Sequence, residues 1–327
     1  MPANGRVIAS GKLAAAALAE IYNARGRHYD DVGRYDPALT DLDQAIRRDP
    51  KLVAAYYNRA DAHVGLHELR QAFDDYSAAV HLDPKYVVAA STAALDSGSL
   101  AGEARALAYA VRANGFMAQR DYDRAIANLT EEIRADPEDA GAYGQRGEAW
   151  ADKGEDDKAI ADFSAAIALD PMDATDLDNR GEVYHHRKHD LDRAVADYSV
   201  AIAVDPKSAA ALGDRGDAYL DKGNYDFALA DYDAAIRLRP TAGGFHTAKA
   251  EALLAKNDAA AALAEANEGV RLRPDDDAYA VRGDVSRRLH RPKEAAADYN
   301  KALSIDRNNK TAATEKADSR QSHSALI

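Results

Sequence analysis

The stretch "RGEAWADKGEDDKAIADFSAAIALDP", residues 146–171, sets seven carboxylates, three of them consecutive, around the only tryptophan of the chain. Such acid density suits a metal or proton-transfer site, and it equally suits one unit of a repeat with a solvated surface. Spacing separates the two readings. Pro171 belongs to a series, Pro50, Pro84, Pro137, Pro171, Pro206, Pro240 and Pro274, with steps of 34, 53, 34, 35, 34 and 34 residues. Proline lacks an amide hydrogen and clashes with the preceding turn, so each marks where a helix must stop. Other columns keep the same phase. A small residue recurs at Gly26, Ala60, Ala113, Gly147, Gly181, Gly216, Ala250 and Gly283, and an alanine at Ala38, Ala72, Ala125, Ala159, Ala194, Ala228, Ala262 and Ala295. Aromatic rings stand at Tyr29, Phe116, Trp150, Tyr184 and Tyr219, and again at Tyr76, Phe163, Tyr198, Tyr232 and Tyr299.

Each unit therefore reads as two antiparallel helices of about 13 to 15 residues joined by a short turn. The turns carry Gly or Asp, as in "DKGNYD" and "QRDYD". Asp36, Asp123, Asp157, Asp192 and Asp226 fall where an N-cap is expected, its oxygen accepting from a free amide of the second helix. Pro37 and Pro292 fall near the first turn of their helices, where a missing amide costs little. Small columns let paired helices approach, and aromatics fill the gap to the next pair. One pair cannot bury that face alone, so the units must stack.

This pattern resembles the tetratricopeptide repeat family, in arrays of the bacterial type. Tyr143, Gly147, Trp150, Gly154, Ala159, Phe163, Ala166 and Pro171 carry the resemblance in order. Eight units fit, at about 19–52, 53–86, 106–139, 140–173, 174–208, 209–242, 243–275 and 276–309. The seventh is degenerate, with Ala266 in place of the aromatic, and the eighth has Arg307 where proline is expected. The resemblance implies an all-α fold, a right-handed superhelical α-solenoid of stacked helix pairs. It also implies a non-catalytic protein–protein interaction scaffold.

The 53-residue step holds an extra segment, roughly 87–105, and aligning it with the N-terminus at an offset of 87 pairs Ser10-Gly11 with Ser97-Gly98, Tyr22 with Tyr109 and Arg25 with Arg112. Three segments are expected: 1–86 with a short helix and two units, 87–309 with an inserted helix and six units, and a polar tail at 310–327 that begins as an end helix. The helix before Ser10 is short against its internal copy, which raises the expectation that the chain is a fragment or once had a leader.

The chain has 327 residues and 42 Lys plus Arg against 55 Asp plus Glu, a net charge of −13. Nucleic acid and anionic membranes reward basic surface and are excluded as main partners. No apolar run approaches the roughly 18 to 20 residues of a membrane span, and residues 1–18 do not form a signal peptide. The absence of cysteine removes disulfides, thiolate zinc sites and thiol nucleophiles. It leaves the compartment open: cytoplasmic as the chain stands, periplasmic if a leader is missing.

An arginine precedes the small column at Arg25, Arg59, Arg112, Arg146, Arg180, Arg215 and Arg282, with Lys249 in the seventh unit. The matching second-helix column reads Asp41, Asp75, Asn128, Asp162, Asp197, Asp231, Glu265 and Asp298. Because these types change together, a ladder of intra-unit ion pairs is expected, with Arg146 and Asp162 taking up part of the opening cluster.

In the family, first helices face a concave surface that binds extended peptides or partner helices. The positions here that resemble groove positions are Glu148, Asp152, Asp178, Glu182, His185, His186, Asp217, Asp221, Glu251, Asp277 and Asp284, with Asn23, Arg27, Asp30 and Asp31 in the first unit and Asn114 and Met117 in the third. Asn58 matches one asparagine of the clamp with which some family members hold chaperone C-termini. Leu107 and Val111 stand where further clamp residues belong, so that partner is not implied. An acidic groove instead favours a basic segment. A chain this acidic also carries acids on every face, so a cation-selective groove and a uniformly acidic surface both fit. "EVYHHRKHD", residues 182–190, is the one stretch where zinc or nickel is arguable, but it carries Arg187 and Lys188 and no HExxH, and a polar turn accounts for it. No phosphate loop, nucleophile elbow or isolated acid pair occurs, so no catalytic, cofactor or metal residues are assigned. The alternative function is a homo-oligomer built through Ala-rich ends, "KLAAAALAE" and "DAAAALAEA".

Overall fold

A computed structural model describes residues 14–98, 100–309 and 311–313. They are helical, with no strand among them. Two compact units are distinguished, residues 1–169 and 170–327. The first holds α1 (Ala15–Asp31), α2 (Tyr35–Arg48), α3 (Val53–Gly65), α4 (Leu69–Leu82), α5 (Pro84–Asp96), α6 (Gly102–Ala118), α7 (Tyr122–Ala135), α8 (Ala140–Lys153) and α9 (Asp156–Leu169). The second holds α10 (Ala174–Glu182), a wider π-helical turn (Val183–Arg187), α11 (Leu191–Val204), α12 (Ala209–Asp221), α13 (Tyr225–Leu238), α14 (Gly243–Ala255), α15 (Ala259–Leu272), α16 (Asp276–Arg288) and α17 (Pro292–Ile305). Helices pair as α1/α2, α3/α4, α6/α7 and α8/α9, and in the second unit as α10/α11, α12/α13, α14/α15 and α16/α17. Helix α5 is the inserted segment, packed on α4 and α6. The 86/87 division concerns sequence duplication, a different property from compactness, and stands as a proposal. Ser10 and Gly11, on which the duplication partly rests, lie outside the described residues.

The columns do the packing assigned to them. Every alanine of the alanine column is buried, most at 0% exposure. A Cβ added to Gly147 would stand 2.8 Å from the Phe163 ring, and one on Gly216 would stand 2.7 Å from Tyr232. Glycine there lets the second-helix aromatic lie flat against the first helix. Burying a ring such as Tyr232, 0% exposed, contributes roughly 2–3 kcal/mol.

The ladder forms in all eight units, as an ion pair in seven and as a neutral hydrogen bond in the third. Six arginines make bidentate pairs with their aspartates at 2.5–2.9 Å. Arg112 donates to Asn128 at 2.8 Å and Lys249 to Glu265 at 2.7 Å. A third arm, unforeseen from the sequence, reaches the preceding second helix: Arg59 to Asp43, Arg146 to Thr130 and Arg215 to Ser199. The arginine thus fastens three helices and links successive pairs.

The expected caps are corrected. Asp36, Asp123, Asp157, Asp192 and Asp226 are the second residues of their helices, not N-caps. There they face the positive end of the helix dipole, and three also take a lysine from the following first helix: Lys153 on Asp123, Lys222 on Asp192 and Lys256 on Asp226. Capping falls to Asp121, Asp190 and Asp258, two residues earlier or in the equivalent column, and to Asp139, Asp173, Ser208 and Asp275 at first helices. Asp83 both ends α4 and caps α5, accepting from Lys85 and Tyr86 amides. Of the expected end helix, residues 311–313 are helical, with Ala312 buried beneath it against Tyr299 and Ala280. The rest of the tail lies outside the described residues.

"DAAAALAEA" is not an end. Ala262 and Ala266 are buried against Val281 and Val285 of α16, so that face is already covered.

Candidate functional site

In residues 170–327 the first helices α10, α12, α14 and α16 carry carboxylates that sense one another. Asp178, Glu182, Asp217, Asp221, Glu251 and Asp284 all fall in this group. Burial, then Glu182, pushes Asp178 up to about 6. Burial, then Asp178, Asp217 and Glu182, pushes Asp214 up to about 7. Glu251 rises to about 7, desolvation leading although its side chain is partly open to solvent, with Asp217, Asp277, Asp284 and Asp221 adding like charge. Asp217 and Asp284 are raised as well, burial again leading, while each accepts a hydrogen bond from a core tyrosine, Tyr232 at 2.6 Å and Tyr299 at 2.7 Å. Among the described residues, Asp178, Asp214 and Glu251 have no ion-pair partner that lowers their pKa.

The one-residue insertion shapes this surface. It is absorbed by the wider turn at Val183–Arg187, which carries His185 inward to 2% exposure. His185 Nε2 lies 2.9 Å from an Asp221 carboxylate oxygen, and its ring stacks on His186 at 4.1 Å. Burial and then His185 lower the His186 pKa. Among the described residues no group of three or more His, Asp and Glu is arranged to hold a metal. Beside the acids, the Tyr198 hydroxyl, the Asp178 Oδ1 and the His185 Nδ1 are buried without a hydrogen-bond partner. Burial, then the negative charge of Asp214, Asp178, Glu182 and Asp217, raises the Tyr198 pKa. Asp214 and Asp217 also line an open cavity of about 590 Å³, together with Phe245, Arg239 and Arg273.

In residues 1–169, Glu148 and Asp152 are exposed on α8. Lys158 and Lys153 lie over the Trp150 ring at 4.3 and 5.6 Å. Asn58, the one match to the carboxylate clamp, is 7% exposed and donates to Asn23 at 2.8 Å, so both asparagines serve the α1–α3 contact. Leu107 and Val111 line an apolar recess.

Sequence reasoning missed Asp214. Its signal was present: 214, 217 and 221 are spaced by three and four, one face of α12. It also missed the tyrosine hydroxyls behind the acids, because a column read as packing carries no sign of where its polar tip ends.

A family model for the tetratricopeptide repeat matches residues 23–87, 110–174, 184–243 and 247–310. Stress-induced-phosphoprotein 1 of Caenorhabditis elegans is 33% identical over 70 residues, 21% of this chain. The chain spans about a fifth of that relative's length, 22%. Among solved structures, PilW, a widely conserved type IV pilus biogenesis factor, is similar with a TM-score of 0.57 at 18% identity, over 64% of this chain and 97% of that one. A tetratricopeptide repeat protein from Parabacteroides merdae gives a TM-score of 0.52 at 16% identity, over 92% and 98%. At such identities these likenesses concern the fold. No helix among the described residues is long and apolar enough to cross a membrane.

Proposed function

The chain belongs to the tetratricopeptide repeat family, and from that premise we propose that it is a non-catalytic scaffold that binds a basic peptide or partner helix across the first helices of residues 170–327. The observation that carries this reading is the run of carboxylates from Asp178 to Glu251 on the first helices α10, α12 and α14, outside the ion-pair ladder and with raised pKa values. Crowded acids of this kind hold protons that a lysine or arginine can replace. Binding a basic segment lets Asp178, Asp214 and Glu251 ionise together and gives each a partner, an interaction that the free chain lacks. Complementary potential would also speed encounter and reject acidic partners.

Hydrogen exchange with and without an octa-arginine peptide tests the placement. Protection is expected on α10, α12 and α14. Protection confined to the second helices α11, α13 and α15 would contradict it.

A further inference from the structure

Residues 1–169 hold a second acidic recess, which takes in Arg27, Asp30 and Asp31 of the first unit and which the proposed function does not use. Where the array's period breaks, α5 lies beside α1 and α3 and encloses a cavity of about 630 Å³, which adjoins a smaller one of about 240 Å³. Asp30, Asp31 and Asp61 line the larger cavity, with Arg27 as the one cation at its rim and the alanine face of α5 as its apolar side. Two aromatic rings, Tyr57 and Tyr86, complete the wall, meeting edge to face with centroids 6.1 Å apart. Asp61 is anchored by the Tyr76 hydroxyl at 2.5 Å. Tyr57 lines both cavities at 7% exposure, and its hydroxyl makes no hydrogen bond to any described residue. Burial, then Asp31, holds Asp30 near 6, and burial holds Asp61 near 7 despite the tyrosine bond, with Asp30 adding like charge.

Three carboxylates against one guanidinium, two tyrosine rings and a methyl-lined wall match one ligand chemistry. A compact organic cation would sit between the carboxylates, present its charge to the ring faces, and lay its methylenes on the alanines. We infer that this recess binds an alkylammonium or guanidinium group, carried either by a free diamine or by the lysine or arginine side chain of a peptide. The site is independent of the groove on residues 170–327.

Calorimetric titration of the full chain tests it with cadaverine and with N-acetyl-lysine methylamide, and with the norleucine analogue as the neutral control. At least one cationic probe is expected to bind; cadaverine alone assigns the free diamine, and the lysine probe assigns a peptide side chain. Asp61→Asn keeps an oxygen for the Tyr76 hydroxyl and removes the charge, so binding should weaken about tenfold or more. Tyr86→Ala should weaken it several-fold, and Glu294→Gln, on the second helix α17, should leave it unchanged. Circular dichroism checks the fold of each variant. Should Asp61→Asn not fold, Asp30→Asn at the rim is expected to weaken binding in the same way. Absence of heat with both cations, equal affinity for norleucine, or undiminished binding by the carboxylate variants would overturn the assignment.

Discussion

Glu132 occupies a column that otherwise reads Ala45, Ala79, Ala166, Ala201, Ala235, Gly269 and Ala302. It is 6% exposed, its Oε2 has no hydrogen-bond partner, and burial, then Asp139 and Asp136, pushes its pKa up to about 8. Ionising it inside the helix stack is costly, so Glu132→Gln should raise stability at pH 9 by about 1–3 kcal/mol. Urea unfolding at that pH reads the change, and an unchanged or lower midpoint would show that the carboxylate is satisfied in a way this account lacks. Arg146 is the opposite case, a charge with every arm used. Removing it leaves Asp162, 8% exposed, without its bidentate partner and frees Thr130. Arg146→Ala is expected to cost about 2 kcal/mol or more while leaving peptide binding intact. Binding lost at unchanged melting temperature would place the ladder in recognition instead.

Helix–turn–helix units were legible because their signals are periodic. Proline, glycine and alanine each act through local sterics, and a column repeated down the chain states the same constraint many times. The turn chemistry was only half legible. In every unit the turn passes through one left-handed residue, and glycine fills it only at Gly33, Gly154 and Gly223. His67, Arg120, His189, Asn257 and His290 fill it elsewhere at φ of 53–66°. A side chain there crowds the following carbonyl, so Arg120→Gly should stabilise the third unit by about 0.5–1 kcal/mol, seen as a higher urea midpoint. A lower midpoint would mean that the Arg120 side chain contributes more than its backbone strain costs. The misplaced caps have the same origin. Aspartates occur both before a helix and at its second position, and a shift of two residues, invisible in composition, separates a hydrogen-bonding cap from a dipole-stabilising acid. The 35-residue step between Pro171 and Pro206 showed one extra residue, which the wider turn at Val183–Arg187 absorbs. Its effect, carrying His185 onto Asp221, depends on which side of the helix absorbs the extra residue.

Across the molecule the acids form two populations with opposite pH behaviour. Asp121, Asp190, Glu265 and Glu268 are held low and contribute stability that is lost only in acid, below their ordinary range. Asp30, Asp61, Glu132, Asp178, Asp214 and Glu251 are raised to between about 6 and about 8. A carboxylate raised in the folded state stabilises fully below its unfolded pKa, and that stability is lost as pH rises through the folded value. His186, lowered by burial and by His185, works the other way, one group against six. The free chain should therefore melt at a lower temperature at pH 8 than at pH 5.5 in thermal circular dichroism, and a flat or rising profile would mean that the raised acids are already paired. The first-helix acid columns were legible in the sequence. What was not legible was their mutual raising, since it arises from carboxylates on successive first helices facing one another. The central claim is that this crowding selects a cation-bearing partner, and fluorescence anisotropy of a labelled octa-arginine peptide tests it most directly. Neutralising Glu182, Asp217 and Glu251 should weaken binding at least tenfold, and neutralising Asp192, Asp226 and Glu294, equally acidic but on second helices, should change it little. Equal losses from the two sets would reduce the groove to the general acidity of the chain.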